Sequence, residues 1–199
     1  MNITKIDTDN TTRATIFKAA ARLFAEKGYN GVSMREISEL SGVTKPTIYY
    51  YFGNKEGIYK ALISEALNYH TEDLKQIASL NIPVKQKLVE LLKRRFQVSL
   101  QHPELTRFVL EVFTHFERLP FLEDFKAEVG AHGKIFEVMI REGINSGEFG
   151  ASAKPELAVH VIGAVLMHFL MQQLNSRQQI LSDQLAEDLI ELLFKGLNE

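Results

Sequence analysis

Apolar residues recur along most of this 199-residue chain at the three- and four-residue intervals of an α-helix. Ile16, Phe17, Ala20, Leu23 and Phe24 follow one face of a helix that opens at Thr11, and Gly28 stops it. Ser33 and Glu36 have the spacing of a capping box, and they open a short helix with Ile37 and Leu40 inward. Ser41-Gly42-Val43 is a tight break. Thr44 then caps a third helix, with Pro46 tolerated in the first turn because no helical partner awaits that N–H. It ends near Phe52-Gly53, and Asn54 caps a long fourth helix over about residues 55–79. Five more helices are expected: Pro83 to about His102, Pro103 to about Phe116, Pro120 to about Ile144, Pro155 to about Asn175, and Asp183 to about Leu197. No segment shows the sustained alternation of a strand bounded by turn residues. The pattern predicts an all-α protein of about nine helices, with no repeats and no low-complexity tract.

Composition sharpens this only slightly. The chain is 45% hydrophobic and 24% charged, ordinary for a globular protein, and it has no cysteine. The N-terminal MNITKIDTDNTT is polar, with no apolar signal core. The longest apolar stretch, Ala158 to Leu174, is interrupted by His160, His168 and Gln172-Gln173, so no membrane span of about 18 uninterrupted apolar residues is expected. A cytoplasmic location follows as the expectation. The net charge of −2 conceals an asymmetry. Residues 1–60 hold nine Lys/Arg against six Asp/Glu, and residues 61–199 hold fourteen against nineteen. A mildly basic head on an acidic body points to an anionic partner at the N-terminus.

Residues 33–52 form two short helices around a Gly-containing turn, preceded by a longer helix. That is the outline of a helix-turn-helix unit. Val43 plugs the turn, and Ile48 and Phe52, four apart, share an inward face. Thr44, Lys45, Pro46, Thr47, Tyr49 and Tyr50 are left outward. Hydroxyls can bond phosphate or base edges, rings and methyls can touch thymine methyls, and Lys45 supplies charge. Arg35 can reach a phosphate or a base. Lys55, at the start of the fourth helix, could hold a phosphate together with that helix's N–H groups. Helix pairs around a Gly turn also occur in proteins with no DNA role; the exposed Tyr49 and Tyr50 favour contact with a partner.

Residues 12–62 closely resemble the TetR family of bacterial transcriptional repressors. The resemblance is carried by Leu23-Phe24, Gly28-Tyr29, Ser33, Ile37, Gly42-Val43, Thr47-Ile48-Tyr49, Tyr51-Phe52 and Asn54-Lys55-Glu56. It implies a DNA-binding head over residues 1–53 and a helical effector-binding and dimerisation body over residues 54–199, working as a homodimer. It also implies DNA contacts at Ser33, Arg35, Lys45, Pro46, Thr47, Tyr49, Tyr50 and Lys55, with Tyr51 mostly structural. Pro46, Tyr50 and Gly57 depart from the commoner residues, and Gly57 is expected to weaken the first turn of the fourth helix.

Beyond residue 62 the resemblance is faint, although Arg141 to Phe149 looks like a recurrent family turn. The middle helices are rich in Phe, which serves either as plain bundle core or as the lining of an apolar cavity. Phe96, Phe113, Phe116, Phe136, Met139 and Met167 are the candidate pocket residues, with His115 and His168 placed to orient a polar group of the effector. His160 and His168 lie roughly 80° apart around a helix; with no HExxH motif and no Cys, neither a metal nor a cofactor is expected. The helix from Pro155 is apolar nearly all round, so a partner should cover part of it. Gly163, Ala164, Met171, Leu185, Leu189, Leu192 and Leu193 are expected at a four-helix dimer seam. The sequence thus predicts a repressor that binds a palindromic operator as a homodimer and is released by a small, largely apolar effector. The alternatives are an effector-independent helical dimer that binds DNA or protein, and an α-helical enzyme with an apolar pocket. The second lacks any nucleophile–base pair or metal motif.

Overall fold

The computed structural model describes residues 12–115, 123, 125–150 and 153–197. Among them are nine α-helices and no strand: α1 (Thr12–Lys27), α2 (Met34–Ser41), α3 (Lys45–Phe52), α4 (Lys55–Ala78), α5 (Val84–Gln101), α6 (Pro103–His115), α7 (Lys126–Asn145), α8 (Pro155–Asn175) and α9 (Asp183–Leu197). The helix expected to open at Pro120 is described from Lys126; Pro120 itself lies outside the described residues.

The chain divides into two compact units, Met1–Tyr69 with Glu104–Lys126, and His70–Pro103 with Ala127–Glu199. In the first, Ile16, Phe17, Phe24, Ile37, Ile48, Ile58 and Phe108 are buried in one core. Tyr59 meets Phe24, Tyr29 and Phe108 edge-on at 4.9, 5.1 and 5.2 Å, a geometry that places positive ring edges on negative faces. Leu40, expected inward, is 44% exposed. The packed strip of α2 runs through Met34, Ile37 and Ser38, and the Ser38 hydroxyl donates to the Val43 carbonyl at 2.6 Å. Leu40 falls on the flank of that strip.

The second unit is built on the inward line of α5, which includes Leu88, Leu91, Leu92 and Phe96. Its start is fixed by Glu148, whose carboxylate accepts from the Val84 and Lys85 N–H groups at 3.0 and 3.1 Å. A carboxylate there satisfies orphan donors and complements the helix dipole. The Arg141–Phe149 turn delivers it. Gly147 takes φ +80°, and Phe149 folds back so closely on Gly143 that a Cβ there would lie 2.3 Å from its ring.

By length and composition α8 could cross a membrane. Its most apolar 18-residue window has a mean hydropathy of 1.6, and only 11% of it is buried within the single chain. The interruptions at His160, His168 and Gln172 therefore do not lower its apolarity below that of a span.

Candidate nucleic-acid interface

Helices α2 and α3 are set by their caps. Ser33 Oγ accepts from Glu36 N–H at 3.3 Å, and the Glu36 carboxylate takes the Ser33 N–H at 2.8 Å and its hydroxyl at 2.7 Å. Lys27 adds an ion pair at 2.8 Å. These bonds, Lys27 first, hold the Glu36 carboxyl down at about 2. Gly42 closes α2 in the left-handed region at φ +69°, where a side chain would be strained. Thr44 caps α3, its Oγ1 accepting from Thr47 N–H at 3.5 Å and lying 2.9 Å from the Thr47 hydroxyl.

With Ile48 fully buried, α3 turns a different set of side chains outward. Thr44, Lys45, Pro46, Tyr49 and Tyr50 are exposed and Thr47 is half-buried. Tyr50 is 84% exposed, more than any other large apolar side chain described. Arg35 lies on the exposed side of α2, loosely paired with Glu39 at 3.6 Å. Phe52 faces inward and stacks on Phe17 at 5.1 Å. Tyr51, expected to be mostly structural, is 45% exposed, with its ring centre 5.5 and 6.2 Å from those of its neighbours Tyr50 and Phe52. At 100° per residue it falls between the buried and outward faces, so it belongs to the rim of the exposed aromatic patch.

Lys55 has a different setting from the phosphate contact expected of it. Its Nζ donates to the carbonyls of Tyr29 and Val32 at 2.8 and 2.9 Å and lies 4.3 Å from the Tyr29 ring centre. Burial lowers its pKa, with Glu36 acting in opposition. The ammonium thus ties the α1–α2 connection to the start of α4. At Gly57 the sequence suggests only a weak first turn, but the structure gives the glycine a reason. Its N–H donates to Asn54 Oδ1 at 2.8 Å, and a Cβ would lie 1.9 Å from the Phe52 carbonyl oxygen.

The described residues among those expected to line an effector pocket belong to both compact units. Phe96, Phe136 and Met139 lie together in the core of the second unit. Met167 is half-buried, His168 is exposed, and Phe113 is 45% exposed on α6 in the first unit. Phe116 lies outside the described residues, and His115 is described only as the last residue of α6. Residues expected at the dimer seam also divide. Leu185, Leu189 and Leu193 are half-buried against their own core, and Phe194 is buried in it. Gly163, Ala164, Met171 and Leu192 face outward. On α8 the exposed residues Leu157, Val161, Ala164, His168 and Met171 follow 4-3-4-3 spacing, which lines one side of a helix as in a coiled-coil seam.

Sequence reasoning passed over a buried polar group in the second unit: Asp73, Arg95 and Ser99 are at most 8% exposed. A signal was present, because Arg95 and Ser99 fall on the same helical register as Leu88, Leu91 and Leu92. Among the described residues no group of three His, Cys, Asp or Glu could hold a metal ion.

A capped helix pair with a left-handed glycine turn, an apolar inner face and an outer face of threonines, tyrosines and a lysine defines a helix-turn-helix unit. Residues 16–62 match the family model described as bacterial regulatory proteins, tetR family. The chain is 31% identical over 166 residues to the probable HTH-type transcriptional regulator YttP of Bacillus subtilis (strain 168), covering 82% of this chain and 79% of that one. The protein belongs to the TetR family, whose members are transcriptional regulators and not enzymes. It is also 25% identical to the fatty acid metabolism regulator protein of Bacillus subtilis (strain 168), covering 92% and 94% of the two chains. The fold matches solved FadR structures. That from Bacillus halodurans has a TM-score of 0.77 at 22% identity, covering 92% of this chain and 98% of the other. That from Bacillus subtilis, solved with stearoyl-CoA, has a TM-score of 0.74 at 24% identity, covering 92% and 97%.

Proposed function

We propose that this regulator is a cytoplasmic repressor that binds a palindromic operator as a homodimer and is released by a small, largely apolar effector. The observation that carries this reading is the outer face of α3, where Tyr49, Tyr50 and Lys45 are exposed around a helix anchored by Ile48. Ser33, Arg35, Thr44, Lys45, Pro46, Thr47, Tyr49 and Tyr50 contact DNA, and Lys55 holds the segment that presents them. DNA binding belongs to residues 1–53, and effector binding and dimerisation to residues 54–199. The exposed 4-3-4-3 line on α8, together with the exposed Leu192 on α9, supports a seam with a second copy. The two recognition helices then enter successive major grooves about 34–36 Å apart.

An apolar effector is supported by the phenylalanine- and methionine-containing second core and by the long apolar acyl chain of the stearoyl-CoA with which a FadR of the same fold was crystallised. Such a molecule need only bind better to a conformation in which the groove spacing is wrong. Coupling of this kind is typically about 1–3 kcal/mol, or roughly 5–150-fold in operator affinity. Helix α4 is the natural connection, because it begins in one compact unit and ends in the other. Binding of the wild type and Lys45→Ala to operator-length duplex across a salt series tests the DNA assignment. The variant should bind more weakly to every sequence and lose about one unit of salt slope. An unchanged slope removes Lys45 from the interface.

A further inference from the structure

The second compact unit contains buried polar atoms that find no partner among the described residues. Ser99 is 1% exposed, and its hydroxyl has no hydrogen-bond partner among the described residues. The same holds for the buried Nε2 of His132. Neither is near the DNA-reading face in sequence, and neither caps a helix. Buried side-chain polar atoms are overwhelmingly paired in folded proteins, so two orphans in one unit call for a ligand or a water.

Their surroundings favour one kind of ligand. Ser99 is one turn beyond Arg95 on the inward line of α5, and Arg95 is 8% exposed. Arg95 Nη1 pairs with Asp73 Oδ2 at 2.9 Å, and Nη2 donates to the His70 carbonyl at 3.2 Å. Arg94 holds the other Asp73 oxygen at 2.9 Å and pairs with Glu90 at 2.8 Å. Asp73 is therefore already held by two guanidinium groups and is not left to bind a cation. The charge of Arg95 reaches both His70 and His132. After burial itself, it is what pushes their imidazoles down, His132 to about 4. His132 is neutral at pH 7 and can offer an N–H from Nε2, while Ser99 offers an O–H. Two donors under a positive potential suit an acceptor oxygen and disfavour a cation. Apolar side chains accompany them on the same helices: Phe136 is one turn from His132 and Phe96 follows Arg95, and both are buried in the core of this unit.

We infer that Ser99 and His132, beside Arg95, form a subsite for a carboxylate or carbonyl oxygen at one end of an otherwise apolar ligand. The inference rests on the reading of this protein as ligand-responsive and names the head group that such a ligand carries. A carboxylate and an uncharged carbonyl share the acceptor oxygen, and two probes separate them.

The test is isothermal titration of the full chain with octanoate, octanamide and octyltrimethylammonium, repeated on Ser99→Ala and His132→Leu. Octanoate or octanamide should bind and the ammonium should not. Each substitution should weaken the binding probe roughly tenfold, the worth of one hydrogen bond. Removing an unpartnered hydroxyl should leave the melting temperature of Ser99→Ala at or above wild type, which shows that lost binding is not lost folding. Preference for octanoate assigns a carboxylate, and equal or better binding of octanamide a neutral carbonyl. Undiminished binding in both variants, equal binding of the ammonium, or no binding of either oxygen probe overturns the subsite. If the oxygen probes fail while compounds lacking an acceptor oxygen still release operator DNA, the subsite falls and the ligand-responsive reading stands. If no compound alters DNA binding, that reading falls as well.

Discussion

Replacing Lys55 by Met tests what positions the DNA-reading helices. The wild-type ammonium makes two charge-assisted bonds, at 2.8 and 2.9 Å, to the carbonyls of Tyr29 and Val32, and it sits 4.3 Å from the Tyr29 ring. Bonds to a charged group are worth about 1.5–3 kcal/mol each. The site is only half-buried, so water recovers part of that when the ammonium goes. The ring contact adds about 0.5–1 kcal/mol, and methionine keeps some apolar packing. A loss of about 3 kcal/mol is expected, which for a chain of this length lowers Tm by about 6–12 °C. Thermal melts and salt-dependent DNA binding, measured on the same preparation, separate this role from a phosphate contact. A brace predicts lower stability and weaker DNA binding with an unchanged salt slope. Wild-type stability with a slope shallower by about one unit would refute the brace and return Lys55 to the DNA backbone.

Gly57→Ala places a methyl 1.9 Å from the Phe52 carbonyl oxygen. The backbone shift should cost about 1–3 kcal/mol, exceeding the roughly 1 kcal/mol that alanine otherwise gains in a helix; denaturant unfolding measures the balance. Tyr50→Ala should weaken DNA binding while changing stability by no more than about 0.5 kcal/mol, whereas Phe52→Ala should lower Tm through its lost stack on Phe17. Tyr51→Ala, on the exposed rim, should behave like Tyr50→Ala. The folded Glu36 carboxyl titrates at about 2 against 4.5 for an unperturbed one. A depressed acid stabilises the fold fully above its unfolded value. The stability advantage of wild type over Glu36→Gln should therefore shrink as pH falls from 4.5 towards 2, as read from urea midpoints at each pH.

What was legible in the sequence was whatever depended on local rules. Helix starts at Ser33 and Thr44 and stops at Gly28 and Gly42 follow from capping chemistry within three or four residues, and each appears as expected. The outer face of α3 was readable because Ile48 fixes its phase. Leu40 misled because an eight-residue helix has too few inward positions to locate the centre of its packed strip. Lys55 misled because its partners, Tyr29 and Val32, are more than twenty residues away, and no periodicity reports such a contact. For Tyr51 the resemblance implies a mostly structural role, whereas its angle from Ile48 leaves it at the exposed rim. The body was least legible. A phenylalanine has the same pattern whether it fills a core or lines a pocket, and the division of α9 between its own core and an outer face depends on packing that one stripe cannot specify. Arg95 and Ser99 leave a trace in the register of α5, but Arg95's partner Asp73 lies more than twenty residues away on α4, and no periodicity reports that pairing.

Two copies of this chain reading DNA through α3 in a two-fold arrangement would leave a symmetric footprint in the sequences they bind. Selection of random duplex DNA by the purified protein tests it most directly. A two-fold dimer should enrich an inverted repeat whose half-site centres lie about one helical turn, or a multiple of it, apart, with enrichment lost in Tyr50→Ala. Recovery of no preferred sequence, or of a single unrepeated site bound by one copy, would contradict it.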